Sequence, residues 1–133
     1  MNGPNAVITL ALLTTALAVV GAEPPTPDAG GFQELQRAEV ADAGGLEVVM
    51  GLVKRSAESV SSKHYHPGGE LGLVLKGAVT VVTENEPPAT LRAGESFHQP
   101  PGEWHIISTT NEGAEAVVFR VLEPGQPMIV AVD

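Results

Sequence analysis

The stretch from His64 to Gly77 constrains the fold more strongly than any other part of the chain. It places His64 and His66 one residue apart, and Glu70 follows four residues after the second histidine. Because side chains alternate between the two faces of a strand, the two histidines share a face only where the backbone is extended. A turn or bulge at residues 67–69 (Pro-Gly-Gly) then returns Glu70 to that face, at the head of an apolar strand. Two imidazoles and a carboxylate on one face are suitable ligands for a first-row transition metal.

Short segments rich in β-forming residues recur from Leu46 to the end of the chain. Glycine, proline and asparagine separate them at close intervals, which is typical of an antiparallel sandwich or barrel. We therefore expect an all-β fold. The predicted strands are Leu46–Val53, Glu70–Leu75, Ala78–Thr83, Thr90–Arg92, Ser96–Gln99, Trp104–Thr109 and Ala114–Leu122, with an apolar edge strand at Met128–Val132.

Residues 1–22 are expected to form a cleaved signal peptide. The run from Ala6 to Val20 is apolar and uncharged, and the small residues Gly21 and Ala22 follow it. The run is shorter than the roughly 20 residues of a membrane-spanning helix, so we expect no stable membrane anchor. Residues 23–31 contain three prolines and two glycines and are predicted to be a linker. Residues 32–133 then form a single domain of an exported protein, periplasmic or extracellular.

Composition excludes several classes of function. Sixteen acidic against seven basic residues give a net charge of -9, which disfavours binding to nucleic acid. The chain has no cysteine, which excludes disulfides, thiolate zinc sites and cysteine nucleophiles. Any bound metal must therefore be held by nitrogen and oxygen atoms, and the expected partner is a small-molecule ligand or substrate.

Two spaced motifs resemble those of the cupin superfamily. The first reads H-x-H-x3-E-x6-G over residues 64–77, and the second reads G-x5-P-x-G-x2-H over residues 94–105. The resemblance is closest to small, secreted, single-domain cupins. It implies a conical jelly-roll barrel, a homodimer, and an outer strand at Leu35–Val40 where residue propensity favours a helix. It also implies one divalent transition metal ion (iron, manganese, zinc, nickel or copper), with the ligands His64, His66, Glu70 and His105.

Three imidazoles and one carboxylate leave open coordination positions at which substrate, water or dioxygen can bind. This donor set favours a metal-dependent small-molecule enzyme, of dioxygenase-like or else isomerase or lyase type. The alternative is a non-catalytic periplasmic protein that binds a metal or a small ligand. His98 is a candidate catalytic acid/base group, with a plain surface position as the alternative. We expect Gly72 to keep side-chain bulk away from the metal, and Arg120 either to anchor an acidic substrate or to form an ion pair on the outer face.

Three leucines, Leu71, Leu73 and Leu75, share the strand face opposite Glu70. Left uncovered, they would form an exposed apolar patch on the outside of the barrel. We expect a cover, which is either a partner subunit or the segment Phe32–Val40 folded back over its own barrel.

Overall fold

The computed structural model describes residues 31–133, and every regular element in that range is a strand. The expected signal peptide and nearly all of the expected linker lie outside the described residues. Within them, no helix is long and apolar enough to cross a membrane. The strands are β1 Phe32–Glu39, β2 Glu47–Arg55, β3 His64–Tyr65, β4 Glu70–Thr83, β5 Ala89–Arg92, β6 Ser96–Gln99, β7 His105–Leu122 and β8 Val130–Ala131. The predicted all-β class is confirmed.

Strand β7 organises the sheet, and all pairings are antiparallel. Its C-terminal half lies between β2 and the first half of β4, while its N-terminal half pairs with β3 and with the second half of β4. Strand β1 extends the sheet beyond β2, and β8 pairs with β3 as the predicted edge strand. Strands β5 and β6 run along the two halves of β4. One sheet thus curls around an interior, which is the predicted jelly-roll arrangement.

Strands β4 and β7 are each continuous where the sequence predicted two strands with a break. Gly77 and Gly113 stand at the expected breaks, with φ angles of 72° and 69°. The backbone bends at each glycine but keeps its pairing, and the register of β4 against β7 shifts on both sides of Gly77. A Cβ at Gly77 would overlap the backbone carbonyl of Gly113. These glycines therefore mark a corner of the barrel and not the end of a strand.

The interior has an apolar part and a polar part. Val74, Val79, Val81 and Ala114 form a buried apolar cluster, with Leu91 and Ile107 packed against it. Beside this cluster, lining the same interior, lie the buried polar side chains of His64, His66, Glu70, His105 and Arg120. Since burying polar groups is costly unless they are paired, their concentration in one place indicates a functional site.

The segment that contains Leu35–Val40 forms β1, so the strand implied by the cupin resemblance is confirmed over helix propensity. A short helix has little stability by itself, whereas this segment gains backbone hydrogen bonds along the edge of β2. The ring of Phe32 also fills the space that a side chain at Gly51 would occupy.

Strand β1 does not cover the outer leucines. Leu71, Leu73 and Leu75 remain 57%, 38% and 50% exposed, and Phe119 beside them is 40% exposed. Of the two alternatives for the cover, the one in which Phe32–Val40 folds back over the leucines is therefore wrong, because that segment pairs with the edge of β2.

Candidate metal centre

Three histidines converge inside the barrel. His64 lies in β3 and pairs directly with His105, the first residue of β7, while His66 follows β3. One ligand nitrogen from each ring can be chosen so that all three lie within 4.8 Å of one another. The rings are almost fully buried, with 4%, 2% and 1% of His64, His66 and His105 exposed. This spacing suits a single metal ion held by three imidazoles.

Backbone carbonyls fix two of the rings. The Nδ1 atom of His64 donates to the carbonyl oxygen of Ser62, and that of His66 donates to the carbonyl oxygen of Met128, each at 2.7 Å. A ring that donates through Nδ1 keeps the lone pair on Nε2, which is then the atom available to a metal. The buried Nδ1 of His105 makes no hydrogen bond of full geometry with residues 31–133, although the backbone of Glu103 acts on this ring as an acceptor and raises its pKa against the effect of burial. The three rings therefore fit a metal ion.

Burial also keeps two of these rings, His66 and His105, in the neutral form that binds metals. Burial, with the charge of Arg120 as the next contribution, lowers the pKa of His66 to about 4. Burial, followed by the proximity of His64 and His66, lowers the pKa of His105 to about 4 as well. Both imidazoles are therefore neutral at physiological pH, and no proton has to leave them when a metal binds.

Glu70, the predicted fourth ligand, is buried beside the three histidines but is directed towards an arginine. Its Oε2 atom accepts a hydrogen bond from Nε of Arg120 at 2.5 Å and lies 3.3 Å from Nε2 of His66. The structure thus brings three of the four predicted ligands into one cluster and places Glu70 at its margin. Metal ligation by all four residues stays a prediction.

Arg120 does not form an ion pair on the outer face, so that expectation is wrong. The alternation of β7 turns Arg120 inward together with Val118 and Ala116, and only 7% of the residue is exposed. Its guanidinium carbon lies 4.4 Å from the centre of the Phe32 ring. Arg120 is therefore held between an aromatic ring and a carboxylate inside the barrel.

The histidine cluster lines a cavity, which we call the central cavity. It offers about 50 Å³ to the centres of water-sized molecules. One water needs about 10–15 Å³ on this measure, so there is room for a metal ion with only a few further ligand atoms. Besides the three histidines and Glu70, the wall is apolar except for two arginines, Arg55 and Arg120.

Arg55 is the site residue that the sequence analysis missed. It is the last residue of β2 and faces inward with Val53 and Val49, as the strand alternation requires. Burial lowers the pKa of Arg55, and the nearby charge of Glu70 partly offsets this effect. The predicted strand ended at Val53. Extending its alternation by one more inward position would have found this arginine.

Neither Gly72 nor His98 has the role that the sequence predicted for it at the metal site. A Cβ at Gly72 would overlap the ring of Phe97, so this glycine makes room for a side chain in the cavity wall and not directly for a metal. His98 is the next residue along β6 and therefore points away from the central cavity. It is exposed and lies with Leu71 and Phe119 along a pocket on the outer face. This placement does not support His98 as an acid/base group for the cavity.

Comparison with known proteins agrees with this architecture. Residues 52–123, more than half of the chain, match the cupin domain family. The chain belongs to the cupin family. No curated protein matches this cupin.

Several solved structures resemble this cupin. A recombinant oxalate oxidase in complex with glycolate is 28% identical, with a TM-score of 0.59 over 83% of this chain and 58% of the oxidase. The DMSP lyase DddQ from Ruegeria pomeroyi is 24% identical, with a TM-score of 0.59 over 64% of this chain and 43% of the lyase. A cupin-2 domain protein from Shewanella frigidimarina is 22% identical, with a TM-score of 0.54 over 71% of this chain and 83% of that protein. This cupin thus spans about half the length of the two enzymes, and the two more distant likenesses show the fold alone.

Proposed function

We propose that this cupin is a metal-dependent enzyme of dioxygenase-like type that acts on a small molecule. The observation that carries the proposal is the convergence of three buried imidazoles, two of them held neutral by burial, on the wall of the central cavity. An exposed pair of histidines on a loop would not have this geometry. A cluster of buried histidines that binds no ligand would also destabilise the fold, because buried polar groups without a bonding partner raise its free energy.

Histidine and carboxylate ligands suit several divalent metals, including iron, manganese, zinc, nickel and copper. Held by His64, His66 and His105, with Glu70 as the further predicted ligand, such an ion would supply open positions for dioxygen and for a substrate oxygen. In a dioxygenase both atoms of dioxygen enter the organic substrate, which supplies the electrons, so no separate reductant is needed.

The chain's own residues would prepare the site for this chemistry. The carbonyls of Ser62 and Met128 hold the imidazoles of His64 and His66 in one orientation, so the ligands need little rearrangement. The apolar side chains of the cavity wall exclude bulk water and strengthen the electrostatic interactions inside. The ion pair of Glu70 and Arg120 keeps a carboxylate beside His66, where it can accept a proton or bind the metal.

Among the structural relatives, the oxalate oxidase supports an oxidative reaction on a small acid. It is 28% identical to this cupin, and its structure holds glycolate. The size of the central cavity is consistent with a substrate of only a few heavy atoms.

Oxygen consumption tests the proposal. The metal-free protein is loaded separately with iron(II), manganese(II) and zinc(II) and given a panel of small carboxylic acids in an oxygen electrode. We expect oxygen uptake matched by loss of one acid with iron or manganese, and none with zinc. A protein that retains each metal but consumes neither oxygen nor any acid contradicts the enzyme proposal.

A non-catalytic metal or small-ligand binder is the second candidate. One observation favours it. Among residues 31–133, Glu70 is the only acid/base side chain that lines the central cavity besides the three histidines, and it is already paired with Arg120. The oxygen measurement separates the two candidates, since a binder retains its metal without turnover.

A further inference from the structure

The two arginines of the central cavity differ in their partners. Arg120 donates to the carboxylate of Glu70, so the charges of this pair cancel. The Arg55 side chain has no hydrogen bond or ion pair with any residue between 31 and 133. The neighbouring Lys54 faces the other side of β2 and lies 3.5 Å from the carboxylate of Glu115. Arg55 is thus an arginine turned into the cavity without a carboxylate partner, in a chain whose acids outnumber its bases.

Partial burial makes this arrangement costly. Partial removal of water lowers the pKa of the Arg55 guanidinium, and the nearby charge of Glu70 offsets this effect only in part. An imidazole side chain carries no negative charge, and the charges of the Glu70–Arg120 pair cancel, so these groups add no net negative charge to the central cavity. A divalent metal ion would make it still more positive. The site therefore attracts an anion, although the whole protein carries a net charge of -9.

We propose that Arg55 anchors the carboxylate of a small acidic substrate in the central cavity. This inference rests on the proposed function and narrows it to one class of substrate. A planar guanidinium matches a carboxylate through two parallel hydrogen bonds, which an ammonium group cannot provide.

The position of Arg55 also sets the direction in which the substrate lies. Arg55 and Ala114 line both the central cavity and a pocket on the outside of the barrel, so they stand where the two spaces adjoin. An acid that enters from that pocket meets Arg55 first, and the rest of the molecule then reaches towards the histidines. The small volume beyond Arg55 restricts the substrate to a few heavy atoms.

Titration calorimetry on zinc-loaded protein tests this assignment without turnover. Glycolate serves as the probe because it is a two-carbon acid with a single carboxylate. Glycolamide, in which an amide replaces the carboxylate, is its uncharged analogue. Arg55→Gln should weaken glycolate binding at least tenfold, as expected for the loss of a charge-assisted hydrogen bond, and should leave glycolamide binding unchanged. Arg55→Lys should recover part of the affinity, because it restores the charge without the planar fork.

Lys54→Gln is the matched control. It removes the same charge from the adjacent residue, outside the central cavity, and should leave glycolate affinity at the wild-type value. Zinc content, measured in the same samples, should be equal in all variants. The assignment is overturned if Arg55→Gln binds glycolate as tightly as the wild type, or if zinc-loaded wild type does not bind glycolate at millimolar concentration. Wild type that takes up no zinc counts against the proposed function, and the same comparison of variants in metal-free protein then decides the anion site by itself.

Discussion

At the scale of single residues, the buried His66 and His105 make the stability of the folded protein depend on pH. Their pKa values in the folded protein are about 4, against about 6.5 for histidine in an unfolded chain. Below pH 6.5 the unfolded state therefore binds protons that the folded state does not accept. The free energy of unfolding should then fall as pH drops from about 6.5 to about 4, by up to about 1.4 kcal/mol per pH unit for each histidine.

Urea unfolding of the metal-free protein at a series of pH values measures the slope of the unfolding free energy against pH. His98→Asn removes an exposed histidine and should leave the slope unchanged, whereas His105→Asn should flatten it. An unfolding free energy that stays level from pH 6.5 to 4.5 would show that the buried imidazoles are protonated as easily as free ones.

The predictability of the site differs from one residue to the next. The spacing of His64, His66 and His105 within the two motifs was enough to place these residues together. The partner of Glu70 was not predictable, because its contact with Arg120 depends on the register between β4 and β7, fifty residues apart. Arg55 was missed for a related reason, since the end of β2 depends on its pairing with β7.

At the scale of elements, the corner of the barrel requires glycine at position 77. Gly77 has a φ of 72°, and a Cβ there would overlap the carbonyl of Gly113. Gly94 has a φ of 90° but open space around it. Gly94→Ala should therefore lower the free energy of unfolding by the roughly 1–3 kcal/mol that backbone strain costs. Gly77→Ala should lower it by more, because the overlap with the carbonyl of Gly113 adds to the strain.

Chemical denaturation of the two variants, compared with the wild type, gives the difference directly. Equal destabilisation would mean that β4 and β7 can separate at the corner without loss. That result would contradict the account of Gly77 as the residue that lets two continuous strands bend together.

The strands were predicted better than their continuity. Alternating residues and turn signals located most of the paired segments correctly, including the edge strand near the C-terminus. The breaks at Gly77 and Gly113 were placed wrongly, because a glycine that bends a paired strand carries the same local signal as a glycine that ends one. Only the pairing partner distinguishes the two cases.

At the scale of the whole molecule, we propose a homodimer that covers the outer face of β4. Leu71, Leu73, Leu75 and Phe119 are all exposed on this face, and burying one such side chain contributes roughly 1.5–3 kcal/mol. Leu73→Glu should give a folded monomer that keeps its metal, as measured by analytical ultracentrifugation. Val60→Glu, at an exposed apolar residue on the connection before β3, should leave the dimer intact. Wild type that sediments as a monomer at high micromolar concentration would rule the dimer out.

The central claim is that His64, His66 and His105 together hold one divalent metal ion, and elemental analysis tests it most directly. The chain has four histidines, so His98→Ala is the natural control for the loss of an imidazole elsewhere. Wild type and His98→Ala, purified side by side near neutral pH, should each carry one ion per chain. The double variant His64→Ala/His105→Ala should carry none while remaining folded. Full metal content in that double variant would contradict the account.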